Sequence, residues 1–152
     1  PLREELQEKA KRLTSKNKKI TVNFLGQKTN KEVLDFYKMN PVDLFINVSE
    51  SEGIPVSIME AASRGIPVIA TDVGGTSELV DDNEKVGYLL PVIVSPEEIT
   101  AKIKYYFELP KNIKEKMRTS ILNKWEAKFD AEKNYKDFCC FLINIENNYN
   151  DK

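Results

Sequence analysis

Histidine is absent from all 152 residues. That absence removes Ser-His-Asp triads, Cys-His nucleophiles and imidazole metal ligands from the chemistry open to this chain. Cysteine is almost absent: Cys139 and Cys140 are the only two, and they are adjacent. Neighbouring cysteines rarely bridge each other and two cannot build a disulfide framework, so the composition points to a reducing, cytoplasmic compartment. The expected place for the pair is a helix, with at least one thiol facing the core. No apolar run approaches the roughly 18 residues of a spanning helix, and no secretory leader is visible. Neither charge is in excess: 23 Lys and Arg stand against 24 Asp and Glu, a net of −1. A dedicated nucleic-acid binder needs a basic surplus to release counterions, so no nucleic-acid partner is expected.

What is present is the composition of an ordinary globular protein, 41% hydrophobic and 31% charged. The length suits a single domain over residues 1–152 with a proper core. The near-neutral total hides three blocks. Residues 1–40 carry a net of +5, residues 41–100 a net of −9, and residues 101–152 a net of +3. The acidic block holds five of the six glycines and the most apolar runs. Function is expected there, between flanks of solvated helices.

Periodicity predicts helices over residues 2–16, 31–39 (capped by Asn30), 55–64, 76–80, 97–109, 111–123 and 130–147. The last of these is a terminal helix within residues 126–152 that carries Tyr135, Phe138 and Phe141. Short apolar runs predict strands over 20–25, 43–48, 67–70 and 87–90. Strands that are apolar throughout and alternate with helices imply a parallel sheet covered on both faces, a Rossmann-like three-layer α/β/α domain. Such domains usually open on a strand. This chain opens on a helix, which reads either as an atypical N-terminal helix or, more sharply, as the sign of at least one strand and its loop upstream.

Ligands of open parallel sheets bind beyond the carboxyl ends of the strands, where loops lead into helix N-termini. The run Ser49-Glu50-Ser51-Glu52-Gly53-Ile54-Pro55 occupies that position after the second predicted strand. Gly53 allows close backbone approach, and the helix beginning at Pro55 and Val56 offers N–H groups to an anion. Glu52 in the loop and Glu60 two turns into the helix border one pocket, where carboxylates accept hydrogen bonds from vicinal hydroxyls. Phosphate flanked by polyols describes a nucleotide sugar. Taken singly, each carboxylate also reads as a solvated surface group. Glu50 and Glu52 lack a third ligand and no Asp-x-Asp occurs, so no metal is expected. After the next strand, Gly74-Gly75 reads equally as an anion nest or as a turn in which Gly75 caps a helix and Glu78 closes a capping box.

The stretch from Glu52-Gly53-Ile54-Pro55 through Glu60-Ala61-Ala62-Ser63-Arg64-Gly65-Ile66-Pro67-Val68 to Asp72-Val73-Gly74-Gly75 and Glu78 resembles the signature of family 4 glycosyltransferases of GT-B architecture. Phe24-Leu25-Gly26 and Gly87-Tyr88-Leu89-Leu90 extend the resemblance over most of residues 1–125. It implies the C-terminal, donor-binding lobe of a retaining enzyme that uses a nucleotide-diphosphate sugar and no metal or other cofactor. By position, Glu60 would bind the ribose. Glu52 would bind the donor-sugar hydroxyls and steady the developing positive charge. The backbone around Ile54–Val56 would hold phosphate, and Gln27 and Lys28 would meet the base. The Ile54-Pro55 pair departs from the aromatic-glycine found in many members. The implied partners are the donor, an acceptor domain of the same polypeptide, and a membrane surface reached peripherally through that domain.

A leaving diphosphate is best stabilised by cations. Residues 41–100 contain only Arg64 and Lys85, and Arg64 lies at the far end of its helix. In the resembling family an Arg and a Lys N-terminal to everything present here hold the diphosphate, so the isolated chain is expected to bind nucleotide weakly and to transfer no sugar. A non-catalytic binding subunit stays open as an alternative. A phospho-receiver domain of similar topology lacks its acidic cluster and its lysine here.

Overall fold

The structure is a computed structural model that describes residues 2–53, 55–81 and 86–150, with side chains to residue 145. It contains two compact units, Pro1–Glu32 and Val33–Lys152.

The first unit holds α1 (Leu2–Lys16), an extended stretch, and the start of α2 (Asn30–Met39). Ala10 and Thr14 of α1 line a shallow cleft with Val22 and Phe24. The strand expected over 20–25 does not form. A strand exists only by sharing a ladder of backbone hydrogen bonds, and among the described residues no neighbouring strand pairs with this stretch. Its apolar side chains stay exposed. The cap of α2 is also corrected by one residue. Thr29, not Asn30, closes the box: its hydroxyl accepts from Glu32 N–H at 3.3 Å and the Glu32 carboxylate accepts from Thr29 N–H at 2.8 Å. Those bonds hold the Glu32 carboxyl below its ordinary range.

The second unit is built on a parallel sheet in the order β1 (Phe45–Asn47), β2 (Val68–Thr71), β3 (Gly87–Leu90). Phe45 pairs with Val68, and Val68 with Gly87. The expected α/β class with a parallel sheet is therefore what forms. β2 is buried at every position, whereas β1 is half-exposed. α3 (Val56–Ala62) and α4 (Thr76–Leu79) connect the strands, and α5 (Pro96–Glu108), α6 (Lys111–Lys128) and α7 (Ala131–Asn150) follow. Ile58, Ala61 and Ala62 of α3 bury against Val68, Ala70, Leu79 and Ile121, with Trp125 and Phe129 packed on that cluster. α3 stops where Gly65 takes φ +62°, which lets Gly65 N–H reach Ala62 O (2.9 Å) and Ile66 N–H reach Ala61 O (3.1 Å). This paired closure of a helix end needs the left-handed residue that glycine supplies most cheaply. α5 begins at a complete Ser95–Glu98 capping box.

The terminal helix differs from expectation at its cysteines. Cys139 and Cys140 are both exposed. The apolar residues around them, Tyr135, Phe138, Phe141, Leu142 and Ile145, are exposed too, so this part of α7 lends no side chain to the core that Phe129 joins.

The chain entering β1 is clamped from two helices. The buried Tyr106 hydroxyl of α5 donates to Asp43 O at 2.7 Å. Arg118 of α6 donates to Val42 O and, at 3.3 Å, to Gly65 O. Burial pushes the Tyr106 phenol up, Arg118 opposes that, and Asp43 adds to it. Removing the hydroxyl orphans a backbone acceptor, so Tyr106→Phe should lower the unfolding free energy by about 1–2 kcal/mol with the urea m-value unchanged. A urea melt indistinguishable from the parent would contradict the clamp.

Candidate functional site

Because the three strands are parallel, their following loops lie along one edge of the sheet. The loop 48–55 leaves β1 and the loop 72–75 leaves β2. Gly74 adopts φ +52°, and a β-carbon at this residue would overlap the carbonyl oxygens of Glu52 and Gly53. Gly75 N–H donates to Gly53 O at 2.7 Å. The Gly-Gly turn therefore rests directly on the backbone of the acidic loop. Gly75 is also the N-cap of α4, but without a side chain it closes no capping box with Glu78. Glu78 N–H instead donates to Gly75 O at 3.1 Å.

Ser49 is the hub of the acidic loop. Its N–H donates to Asn47 Oδ1 at 3.0 Å, and its hydroxyl donates to Glu52 Oε1 at 2.8 Å. Its carbonyl accepts the hydroxyl of Thr71, a buried residue on β2, at 2.5 Å. Asn47 Nδ2 also reaches Ser57 Oγ at 3.4 Å, linking the end of β1 to the first turn of α3. Glu52 and Gly53 are exposed while Pro55 is buried. Pro55 stands just before α3, with its carbonyl accepting from Ile58 (3.0 Å) and Met59 (3.2 Å).

Glu60 is half-buried on α3, four residues after Val56 and so about 6 Å further along the helix. Its charge is felt by Tyr37 of α2, whose phenol is pushed up first by burial and then by Glu60. Glu52, Gly53, Gly74 and Gly75 are thus in contact, with Pro55, Val56 and Glu60 following on the same connection. Gln27 and Lys28 belong to the first unit, where Lys28 Nζ lies 3.5 Å from Glu32 Oε1. Ile54 and Lys85 lie outside the described residues. Among the described residues no three Asp, Glu or Cys side chains converge as a metal-ligand set, and no helix is long and apolar enough to cross a membrane.

Three participants escaped the reading of the sequence. Ser49 had a visible signal, since Ser-x-x-Glu is the spacing at which a hydroxyl and a carboxylate meet within one turn. Thr71 had none, because its partner is 22 residues away. Thr76 heads α4 with a buried hydroxyl that has no hydrogen-bond partner among the described residues.

Residues 3–123 match the family described as glycosyl transferases group 1. The chain belongs to that family. Among curated relatives, a putative teichuronic acid biosynthesis glycosyltransferase, TuaC, of Bacillus subtilis (strain 168) is 35% identical over 124 residues, which is 82% of this chain and 29% of the relative. The O-antigen biosynthesis glycosyltransferase WbnH of Escherichia coli is 38% identical over 85 residues, 51% of this chain and 24% of that one. The chain thus spans about a quarter of the length of these relatives. Among solved structures, a glycosyltransferase from Rickettsia africae superposes with a TM-score of 0.68 at 21% identity, over 91% of this chain and 37% of that one. The C-terminal domain of a glycosyl transferase group 1 protein (LpcC) from Francisella tularensis gives 0.66 at 23% identity, over 86% and 63%. Over the aligned residues the fold is the one these glycosyltransferase structures share.

In this group 1 domain the packing at Gly74 sets the position of the Glu52 loop. Gly74→Ala adds both a strained φ and an overlap with two carbonyls, so it should cost about 1–3 kcal/mol and move the amide resonances of residues 49–53. Unmoved resonances there would show that the two loops are not joined.

Proposed function

We propose that this chain is the donor-binding, C-terminal lobe of a family 4, retaining glycosyltransferase. The enzyme would transfer a sugar from a nucleotide-diphosphate donor to an acceptor in cytoplasmic polysaccharide, glycolipid or glycoconjugate synthesis. The observation that carries the reading is the arrangement at the strand ends. Glu52 sits on a loop held by Gly74 and Gly75, and Glu60 stands further along the helix that the loop enters. Curated relatives named for O-antigen and teichuronic acid biosynthesis support the substrate class.

In this reading Glu60 accepts hydrogen bonds from the ribose hydroxyls. The phosphates fall to the backbone at the loop-to-α3 junction, with Gly74 and Gly75 beside it as part of the donor site. As the bond from C1 to the diphosphate breaks, its electron pair leaves with the phosphate oxygen and positive charge develops on the ring. Glu52, exposed at the strand ends, is suited to bind the sugar hydroxyls and offset that charge. The acceptor hydroxyl forms the new bond at C1 on the face that the diphosphate leaves, and its proton passes to the departing diphosphate oxygen. No metal or other cofactor enters this scheme.

The negative charge gathered on the diphosphate needs cations. Arg64 lies beyond the C-terminal end of α3, the end opposite the loop that leads into the helix. The cationic clamp, the acceptor site and any peripheral contact with a membrane are therefore assigned to other parts of the full-length polypeptide. The same shortage favours one second reading, a lobe that binds nucleotide sugar without catalysing transfer.

Two measurements on the full-length protein separate the readings. Calorimetry with UDP, GDP and ADP and their hexose conjugates should identify one bound base, with Glu60→Gln weakening the free nucleotide and its conjugate alike. Glu52→Gln should leave nucleotide affinity nearly intact and slow transfer on the order of 100-fold, the scale of losing one electrostatic contact to a transition state. Transfer unchanged by Glu52→Gln would favour the non-catalytic lobe, and the absence of binding to every conjugate would end both readings. The 152-residue chain alone should show no turnover.

A further inference from the structure

The geometry points to Ser49 as the positioning residue of the Glu52 carboxylate, with Thr71 fixing Ser49 in turn; the inference rests on the donor-site reading above. Glu52 stands exposed on a loop next to Gly53, where a three-torsion side chain has little packing to restrain it. The Ser49 hydroxyl donates to its Oε1 at 2.8 Å, a bond strengthened because the acceptor is ionised. This bond engages one carboxylate oxygen and leaves the other for a ligand hydroxyl.

A serine on a loose loop would restrain little, but Ser49 is held at both ends of its peptide unit. Its N–H is on Asn47 Oδ1 at the end of β1, and its carbonyl takes the hydroxyl of Thr71. Thr71 belongs to β2, every residue of which is buried. The bonds form a continuous relay: buried central strand, Thr71 hydroxyl, Ser49 carbonyl, Ser49 hydroxyl, Glu52 carboxylate. The relay uses different atoms from the Gly74–Gly75 contact, which reaches the loop backbone at Glu52 and Gly53 from the turn that follows Thr71. Backbone and side chain of Glu52 are therefore fixed by two different devices.

The decisive experiment uses the full-length protein with UDP-glucose, GDP-mannose and ADP-glucose as donor probes. It reads donor breakdown to free nucleoside diphosphate, together with calorimetry of UDP, GDP and ADP. Ser49→Ala should slow breakdown of the accepted donor about tenfold, the effect of losing a hydrogen bond to a charged group, while free-nucleotide affinity stays within about twofold. Ser49→Thr, which keeps the hydroxyl, should restore the rate. Thr71→Val should lower the rate in the same direction and Thr71→Ser should not. In a Glu52→Gln background, Ser49→Ala should cause no further loss, because its effect runs through the carboxylate. The inference is overturned if Ser49→Ala matches the parent, if its loss persists undiminished in the Glu52→Gln background, or if nucleotide affinity falls in step with the rate. A parent protein that binds none of the probes would overturn the donor-site reading and this inference together. A parent that binds and loses activity only on Glu52→Gln would overturn this inference alone.

Discussion

The contact on which the site depends is the seating of Gly74 on the carbonyls of Glu52 and Gly53, sealed by the 2.7 Å bond from Gly75 N–H to Gly53 O. An exposed loop of polar residues has little apolar surface to hold it, so its conformation must be imposed from outside. Here the imposing element is the turn after the fully buried strand β2. No side chain larger than hydrogen fits at residue 74 without moving the loop. The pair of glycines is thus a packing device as well as a turn, and the alternatives of nest and cap understate it.

The rest of the second unit serves to place the two strand ends from which these loops spring. Tyr106 and Arg118 grip residues 42 and 43 on the way into β1, and Arg118 also reaches Gly65 at the end of α3. β1 is short and half-exposed, and these bonds from α5 and α6 supplement its single ladder to β2. Strand order, loop seating and the orientation of Glu52 form one hierarchy: core first, then backbone, then a single carboxylate.

Much of this was legible in the residues. β3 forms where the run Gly87–Leu90 was expected, and α1 where Leu2, Leu6, Ala10 and Leu13 share a face. The pairing of Glu52 with Glu60, seven residues intervening, was visible because it lies within one strand–helix connection, a local feature. What failed was non-local. The stretch 20–25 has the composition of a strand, but composition cannot supply a neighbour to pair with. The habits of free thiols place at least one of Cys139 and Cys140 against the core, whereas the stretch of α7 around them faces outward with its aromatics, Tyr135 being 74% exposed. The bond from Thr71 to Ser49 spans 22 residues and left no trace in the sequence pattern. Thr29 displaced Asn30 as the α2 cap because Glu32 is spaced to complete a box with Thr29 and not with Asn30.

The charge distribution gains a physical meaning from the same geometry. The acidic block contains both strand-end loops, and within it the Glu52 carboxylate accepts from the Ser49 hydroxyl and the Glu98 carboxylate from Ser95. In the proposed reading, a carboxylate held through one oxygen by a neutral hydroxyl suits hydrogen bonding to a polyol. The most direct test is hydrogen exchange on the full-length protein with and without UDP-glucose, GDP-mannose or ADP-glucose. The account predicts slowed exchange concentrated at residues 48–60 and 72–76. Protection confined to other segments, with these two loops unchanged, would contradict it.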